Sequence, residues 1–374
     1  MKKIPFNKPH YPFRGFLAIF NAAIRGTISG NGYYTQECQA FFEKRYGFKK
    51  ALLTTSCSDA LEMAALLADI KPGDEVILPS FTFVSTANAF VLRGARLRFA
   101  DTLKDIPNID PDEIEKLITP ATKAIAVVHY SGIACDMDRI MDIAKKHNLF
   151  VIEDAAHAID SFYKGKPLGS IGHFGTFSFH ETKNIFCGEG GMLTINDDRF
   201  VKRAEILWEK GTNRAAFHRK EVDHYNWVDA GSSFLPSDAL AAFLWVQLKD
   251  LGKIQRRRIR VWSEYFRRLQ PLGAAQKITV PILPDFATHN GNLFFILMPS
   301  REERDKMLEY LKSHGIQAVF HYLPLHSSPY FINLHDGRPL PNTDRFAGCI
   351  VRLPFYYGLK PGQIKRIVEA IEKF

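Results

Sequence analysis

Short apolar runs alternate with helical patterns through the first two thirds of the chain. The runs Ala51–Thr54, Glu75–Leu78, Arg96–Phe99, Ala124–Val128 and Phe150–Glu153 read as strands. Between them, Asp59–Leu67, Ser85–Leu92, Pro111–Leu117 and Asp136–His147 read as helices. Strands interleaved with helices imply an α/β fold: a large, mostly parallel sheet covered on both faces, with right-handed crossovers. Two further strand-like runs, Thr176–Phe179 and Gly191–Ile195, have no helix between them and flank the segment HETKNIFCGEGG. Helices follow at Asp198–Glu209 and Ser237–Lys249.

A long helix at Lys253–Leu269 leads into a different texture. Strand Leu293–Met298, helix Arg301–His314, strand Gln317–Val319, a Pro-rich loop and helix Pro361–Glu372 suggest a smaller α+β unit. The expected organisation is a large α/β domain over residues 1–250, N-terminal segment included, and a C-terminal α+β domain over residues 251–374. No internal repeat or low-complexity tract is visible.

Composition changes this picture little. With 374 residues, 46% hydrophobic and 24% charged, the chain can bury a large core without staples. The net charge of +9 raises the question of nucleic acid. The densest basic run, Lys253–Arg260, continues to Arg267 and Arg268. It shares a helix with the apolar series Ile254, Val261, Trp262, Tyr265 and Leu269, so it reads as a solvated helix face. No zinc-finger spacing or RNP-type motif accompanies it, and no nucleic-acid partner is expected. The cysteines Cys38, Cys57, Cys135, Cys187 and Cys349 form neither a disulfide framework nor a C-x-x-C pair, and no metal is expected. The start, MKKIPFNKPHYPF, has no signal-peptide apolar region, and no run approaches a membrane span. The default compartment is therefore the cytoplasm, without a membrane partner.

Four segments carry candidate chemistry. In VIEDAAH (151–157), an apolar strand delivers Glu153 and Asp154 at its carboxyl end, where open α/β sheets place ligands. A carboxylate there can pair with a protonated ring nitrogen, although taken alone a helix N-cap Asp is the commoner explanation. In SFHETKN (178–184), Lys183 follows a short apolar strand. A buried lysine loses its proton readily and its neutral amine attacks aldehydes; the alternative is a surface-loop lysine. His180-Glu181 in the same segment is not a zinc motif, because Asn184 stands where a second His is needed. In TTSCSDAL (54–61), small hydroxyl residues end a strand and open a helix whose free N–H groups suit a phosphate, Ser56 and Ser58 adding hydroxyls. Ordinary capping by Ser58 or Asp59 explains the segment equally well. GEGG (188–191) lacks G-x-G-x-x-G spacing, so it reads as a tight turn that permits close approach.

Longer stretches make the chain recognisable. IPFNKP (4–9), LEMAALL (61–67), PGDEVILPSFTFVSTANAFVLRGA (72–95), VHYSGIACDMD (128–138), AKKHNLFVIEDAA (144–156), GHFGTFSFHETKN (172–184), EKGTNR (209–214), VFHYLPLH (319–326) and RLPFYYGL (352–359) resemble the DegT/DnrJ/EryC1/StrS sugar aminotransferases. That resemblance implies the aspartate-aminotransferase-like, fold type I architecture of pyridoxal 5'-phosphate-dependent transferases, with a seven-stranded-type sheet. By similarity, Lys183 occupies the Schiff-base position and Asp154 the position that pairs with the pyridine nitrogen. His157 sits where the family has Gln or His near the phenolic oxygen. Phe83 matches the ring-stacking aromatic. Cys57 through its backbone N–H, Ser58 and Ser178 match phosphate ligands.

One segment departs from the family pattern. Many members carry G-x-N-x-R where this chain has GSSFL (231–235), so Ser233 replaces the Asn that reaches the partner subunit's phosphate, and Leu235 replaces the Arg. The resemblance further implies a homodimer with composite sites, to which the polar and aromatic loop Asn213–Trp227 is suited. It implies amino transfer from L-glutamate to C4 of a nucleotide-linked 4-keto-6-deoxyhexose, dTDP-4-keto-6-deoxyglucose foremost. Relatives that dehydrate sugars carry His at the lysine position, so Lys183 favours amination. Lys210, Arg214 and His326 are the candidate ligands for the sugar nucleotide; surface charge and loop packing explain them as readily.

Overall fold

The computed structural model describes residues 3–374. The amino-terminal part opens with two helices, α1 (Phe13–Ile24) and α2 (Tyr33–Tyr46). It continues as β1 (Lys50–Thr54), α3 (Cys57–Leu67), β2 (Glu75–Pro79), α4 (Val84–Val91), β3 (Arg96–Ala100) and α5 (Pro111–Leu117). Then come β4 (Thr122–Val128), α6 (Met137–His147), β5 (Phe150–Asp154), a short hairpin of β6 (Phe162–Tyr163) and β7 (Lys166–Pro167), β8 (Phe174–Ser178) and β9 (Gly191–Ile195). Helices α7 (Val201–Trp208), α8 (Arg214–His218), α9 (Asp238–Lys249) and α10 (Leu251–Ala274) lead to β10 (Phe295–Leu297), α11 (Arg301–Ser313), α12 (Pro341–Cys349), β11 (Ile350–Arg352) and α13 (Pro361–Lys373).

Seven strands form one sheet in the order β1-β9-β8-β5-β4-β2-β3. Only β9 runs against its neighbours, pairing antiparallel with both β1 and β8. Strand periodicity explains why the sheet is covered on both sides. Ala51 and Leu53, Ile77, Ile125, Val127 and Val151 pack toward α2 and α9, through Phe42 and Leu244. The alternating residues Leu52, Val76, Leu78, Ala124, Ala126 and Ile152 pack on the other face against Leu61, Leu207 and Trp208. A third cluster joins Val261, Tyr265 and Leu269 of α10 to Ile296, Val351, Ile364 and Ile367, and Ile4 contributes to it.

Three expectations change. Gln317–Val319 is not a strand. Ile316 makes a single pairing with Ile4, and Val319 another with Arg352, so the segment is clamped between two neighbours without a ladder along either. β11 takes the place beside β10 instead. The basic run of α10 is not uniformly wet either. Arg258 is buried, its Nε donating to Gly291 O at 2.9 Å and an Nη to Asn292 O at 2.7 Å. Its position, four residues after Ile254 and three before Val261, lies on the buried stripe. Finally, α1, α2 and α12 are helices the apolar spacing did not reveal. α1 fully buries only Gly15, Ala18 and Ala22, with Ile19 partly buried and its other large apolar residues outside. No helix among the described residues is long and apolar enough to cross a membrane.

Candidate active site

Strand register brings the site together before any side chain is considered. Gly191, at the start of β9, pairs with Thr54 at the end of β1 and with Ser178 at the end of β8. Asp154, at the end of β5, pairs with Thr176 of β8 and Val128 of β4. Four strand ends therefore meet at the carboxyl edge of the sheet, and a cavity of about 590 Å³ opens above them. Its wall includes Ser56, Cys57, Ser58, Phe83, Asp154, His157, Ser178 and Lys183.

The two carboxylates of VIEDAAH separate by strand alternation. Glu153 points away and is wholly buried, accepting from His129 Nε2 (3.0 Å) and from the N–H groups of Gly169 (2.8 Å), Ile171 (2.7 Å) and Gly172 (2.6 Å). The Cys135 N–H reaches His129 Nδ1 at 3.2 Å, so Nε2 carries the proton given to Glu153. Asp154 points into the cavity. Thr86 Oγ1 donates to its Oδ2 at 2.7 Å and the Ala156 N–H to its Oδ1 at 3.1 Å. No helix starts at Asp154, so it caps only a turn. Burial raises its pKa, partly offset by these donors and by Lys183.

His157 follows on the same turn. Its Nδ1 accepts the Ser131 N–H at 3.3 Å, which leaves the proton on Nε2. Burial, with Lys183 second, holds it far below the ordinary histidine range, so it is a neutral donor. Asn290 Nδ2 fixes its backbone by bonding His157 O and Ile159 O, both at 2.7 Å.

Lys183 sits in the loop between β8 and β9, its N–H bonded to His180 O at 2.9 Å. Its ammonium pKa is pushed down to about 8, first by burial, with the charge of Arg352 acting in the same direction. The neighbouring Asn184 anchors the loop. Asn184 Nδ2 donates to Gln255 Oε1 and Asn290 O, both at 2.9 Å, and Asn292 Nδ2 donates to Asn184 Oδ1 at 3.0 Å. Arg258 holds Asn292 in turn. The buried arginine of α10 is thus tied, through two asparagines, to the lysine loop.

α3 begins at the same cavity. Its N-cap is Ser56, which accepts the Asp59 N–H at 3.1 Å and donates to Asp59 Oδ2 at 2.9 Å. Ser56 is therefore the capping residue, in place of Ser58 or Asp59. Ser58 Oγ bonds Ser85 Oγ at 2.6 Å, and Ser178 Oγ accepts the His180 N–H at 3.4 Å. The first-turn N–H groups of a helix have no intrahelical acceptor and point outward, which suits an anion. Gly191 allows this approach: a Cβ there would overlap the Ser56 carbonyl and the Cys57 nitrogen.

Several candidates lie elsewhere. Ser233 is exposed and pairs with Glu209, outside the cavity of its own chain. Lys210 and Arg214 are exposed, and Arg214 is 3.6 Å from Glu209. His326 bonds Ser80 Oγ through Nδ1 at 2.9 Å and faces Asp344 at 3.4 Å. Conversely, Thr86, His321, Tyr322 and Arg352 belong to the cavity wall and were not singled out from the sequence. Thr86 could have been found from its helical position above the β5 end. Arg352 opens RLPFYYGL directly after an apolar strand, and a charge at that point is a signal in itself.

Comparison with known proteins agrees with this geometry. A family model described as the DegT/DnrJ/EryC1/StrS aminotransferase family matches residues 16–372. The chain is 34% identical over 343 residues to the spore coat polysaccharide biosynthesis protein SpsC of Bacillus subtilis, covering 88% of this chain and 87% of the relative. An aminotransferase from Psychrobacter cryohalolentis superposes with a TM-score of 0.93 at 28% identity, covering 100% of this chain and 98% of the other. Spr1654 of Streptococcus pneumoniae, described as a sugar aminotransferase and solved in its PLP form, superposes at 0.91 with 26% identity, covering 100% and 98%.

Proposed function

The chain belongs to the DegT/DnrJ/EryC1/StrS aminotransferase family, a pyridoxal 5'-phosphate-dependent family of sugar aminotransferases, and from that membership we propose that it moves an amino group from L-glutamate to C4 of dTDP-4-keto-6-deoxyglucose. The product would be a dTDP-4-amino-4,6-dideoxyhexose, with the galactose configuration foremost, for bacterial surface polysaccharide. The observation that carries the aminotransferase chemistry is the convergence of Lys183, Asp154 and the start of α3 on one cavity.

The residues present fit the cofactor. The cavity wall holds a buried carboxylate, a helix N-terminus opened by Gly191 and a lysine of lowered pKa. In this reading, Asp154 pairs with the ring nitrogen and Thr86 holds its carboxylate. The Cys57 N–H, Ser58 and Ser178 hold the phosphate, Phe83 covers one ring face, and the His157 Nε2–H reaches the phenolic oxygen. When bound, pyridoxal 5'-phosphate supplies a ring that withdraws electrons from the carbon exchanging hydrogen for nitrogen. Lys183 anchors the group and moves the proton at that carbon.

The same reading makes the protein a cytoplasmic homodimer. Phe13, Phe16, Leu17, Phe20 and Ile24 form an exposed apolar stripe at helical spacing on α1, and Trp227 is 81% exposed. A patch of that kind calls for a cover. Ser233, Lys210 and Arg214, which do not reach the cavity of their own chain, would serve the partner's. Phe16→Glu with Phe20→Glu should then yield monomers, read by light scattering, that lose cofactor.

The deciding experiment is mass spectrometry of the product after incubation with dTDP-4-keto-6-deoxyglucose and glutamate. Conversion of the ketone to an amine is expected, together with a visible absorption band that borohydride abolishes while leaving the reduced cofactor attached to the Lys183 peptide. An unchanged band and unchanged turnover in Lys183→Ala would refute the reading. A panel of GDP- and UDP-linked keto-sugars and C3 ketones tests the alternative that another position or nucleotide is used.

A further inference from the structure

His157 and Lys183 stand on different segments, and one buried residue reaches both. Asn290 lies in the stretch between α10 and β10 and is wholly buried. Its Nδ2 donates to His157 O and Ile159 O, both at 2.7 Å. Two carbonyl oxygens can be served only by the nitrogen of the amide, which fixes its orientation. Its Oδ1 has no partner, so the side chain acts here as a donor alone. On the other side, the Asn290 carbonyl accepts Asn184 Nδ2 at 2.9 Å, and Asn184 is the residue after Lys183. The stretch that carries Asn290 is itself anchored to α10. Arg258 donates to the carbonyls of Gly291 and Asn292. Gly291, at φ 58°, permits this close passage, since a Cβ there would lie 2.8 Å from the Arg258 backbone.

Little else duplicates these ties. Among the described residues, Asn290 Nδ2 is the one hydrogen-bond partner of His157 O, whereas Ile159 O also accepts Gln255 Nε2 at 3.1 Å. The turn that receives the His157 ring, through the Ser131 N–H, is shaped around Asn290 as well. A Cβ on Gly132 would fall 2.4 Å from Asn290 Oδ1 and 2.8 Å from His157 O. We propose that Asn290 is a positioning residue for the reaction: its amide sets the His157 donor relative to the Lys183 amine by tying both segments to one strut on α10. The inference rests on the aminotransferase reading above and adds a residue to it.

Proton transfer depends steeply on the placement of the groups that perform it. Without the Asn290 donor, His157 O becomes a buried acceptor with no partner, and such a group is costly enough that the turn must shift or admit water. The shift does not stop there. The Asn290 carbonyl, freed from its side-chain anchor, no longer offers Asn184 a fixed acceptor, and Asn184 moves with Lys183. A substitution of equal shape separates this role from mere filling of space. In Asn290→Asp the carboxylate occupies the same volume but presents oxygen, in place of N–H, to the carbonyls of residues 157 and 159.

In the holoenzyme, Asn290→Asp and Asn290→Ala should each lower kcat by about tenfold or more and leave KM for glutamate and for the nucleotide sugar within about threefold, since no group that touches a substrate is removed. The pH midpoint of the visible cofactor band should rise by about one unit in both, because the His157 Nε2–H no longer steadies the negative phenolic oxygen. Wild-type kcat and an unmoved midpoint in Asn290→Asp would mean that the residue only fills space, and would overturn the proposal. Should neither variant fold, Asn184→Ala cuts the tie from the lysine side and should show the same loss of kcat; wild-type kcat there overturns the proposal equally. A second measurement needs no cofactor. Amide hydrogen exchange in cofactor-free enzyme should quicken in the variants over both residues 155–161 and residues 180–187, with α13 unchanged. Faster exchange confined to 155–161 would sever the link to Lys183 and sink the idea. A wild type that transfers no amino group would bring down the aminotransferase reading, whereas the exchange pattern reports the tie by itself.

Discussion

Lys183 should titrate as an unusually weak base in enzyme stripped of cofactor. A free lysine holds its proton to about pH 10.4. In this cavity the ammonium is pushed down to about 8. Burial is the largest cause, because water no longer solvates the charge, and Arg352 adds repulsion; Cys57 and Asp154 act the other way. At about pH 7.5, roughly a quarter of the Lys183 amines are then neutral, against about one in a thousand for a free lysine, so the nucleophile is enriched about 200-fold. Trace labelling with an amine-reactive anhydride between about pH 6 and about pH 11, followed by peptide mass spectrometry, measures this directly. A free lysine derivative in the same solution serves as reference. Lys183 should show its midpoint well below that of the free amine. Arg352→Met should raise the midpoint and Asp154→Asn lower it, as the signs of their charges require. A Lys183 midpoint coinciding with that of the free amine would refute the argument that the cavity prepares this amine.

Three further outcomes follow from the geometry. Gly191→Ala places a methyl against the Ser56 carbonyl and Cys57 nitrogen, so the start of α3 must shift; cofactor affinity should fall at least about tenfold by equilibrium dialysis, and unaltered affinity would disprove the cradle. Glu153→Gln weakens the acceptor of four buried donors and should cost about 3 kcal/mol in urea unfolding, whereas a loss under about 1 kcal/mol would mean the network is not a charged one. Burial holds His157 far below its ordinary pKa, His289 at about 4 and His321 at about 2. Their folded pKa values lie below the unfolded value, so the unfolded chain binds more protons once the pH drops below about 6.5. Stability should then fall by up to about 4 kcal/mol per pH unit toward about pH 5, and equal denaturation midpoints at about pH 7 and about pH 5 would contradict it.

The sheet was legible because its strands obey a simple rule: fully apolar runs bounded by turn residues. Gly191–Ile195 was placed to the residue, and the other six strands within two residues at either end. The helices that escaped notice did so for different reasons. α1 fully buries only the small residues Gly15, Ala18 and Ala22, and most of its large apolar residues point to the outside. α2 does carry an inward stripe, Tyr34, Cys38, Phe42 and Tyr46 at four-residue spacing, but polar Thr35 and Gln39 are buried beside it and blur the pattern.

The site divides along a similar line. Lys183, Asp154 and the Thr54–Ala60 turn are near-neighbours of strand ends, so the order of strands brings them together without knowledge of any side-chain contact. Arg258 and Arg352 come from α10 and β11, far along the chain, and depend on which polar groups happen to face them. The basic run of α10 illustrates the difference. Its charge suggested a wet face, yet Ile254 and Val261 already bracket Arg258 on the buried stripe, and the carbonyls of residues 291 and 292 that accept its bonds could not be foreseen from the helix itself. Arg258 is buried and satisfied, ending on two backbone carbonyls as a strut for the lysine loop. Arg352 is half-buried, borders the cavity beside the Phe6 ring, and has an Nε without a hydrogen-bond partner. That contrast is supplied only by the three-dimensional partners.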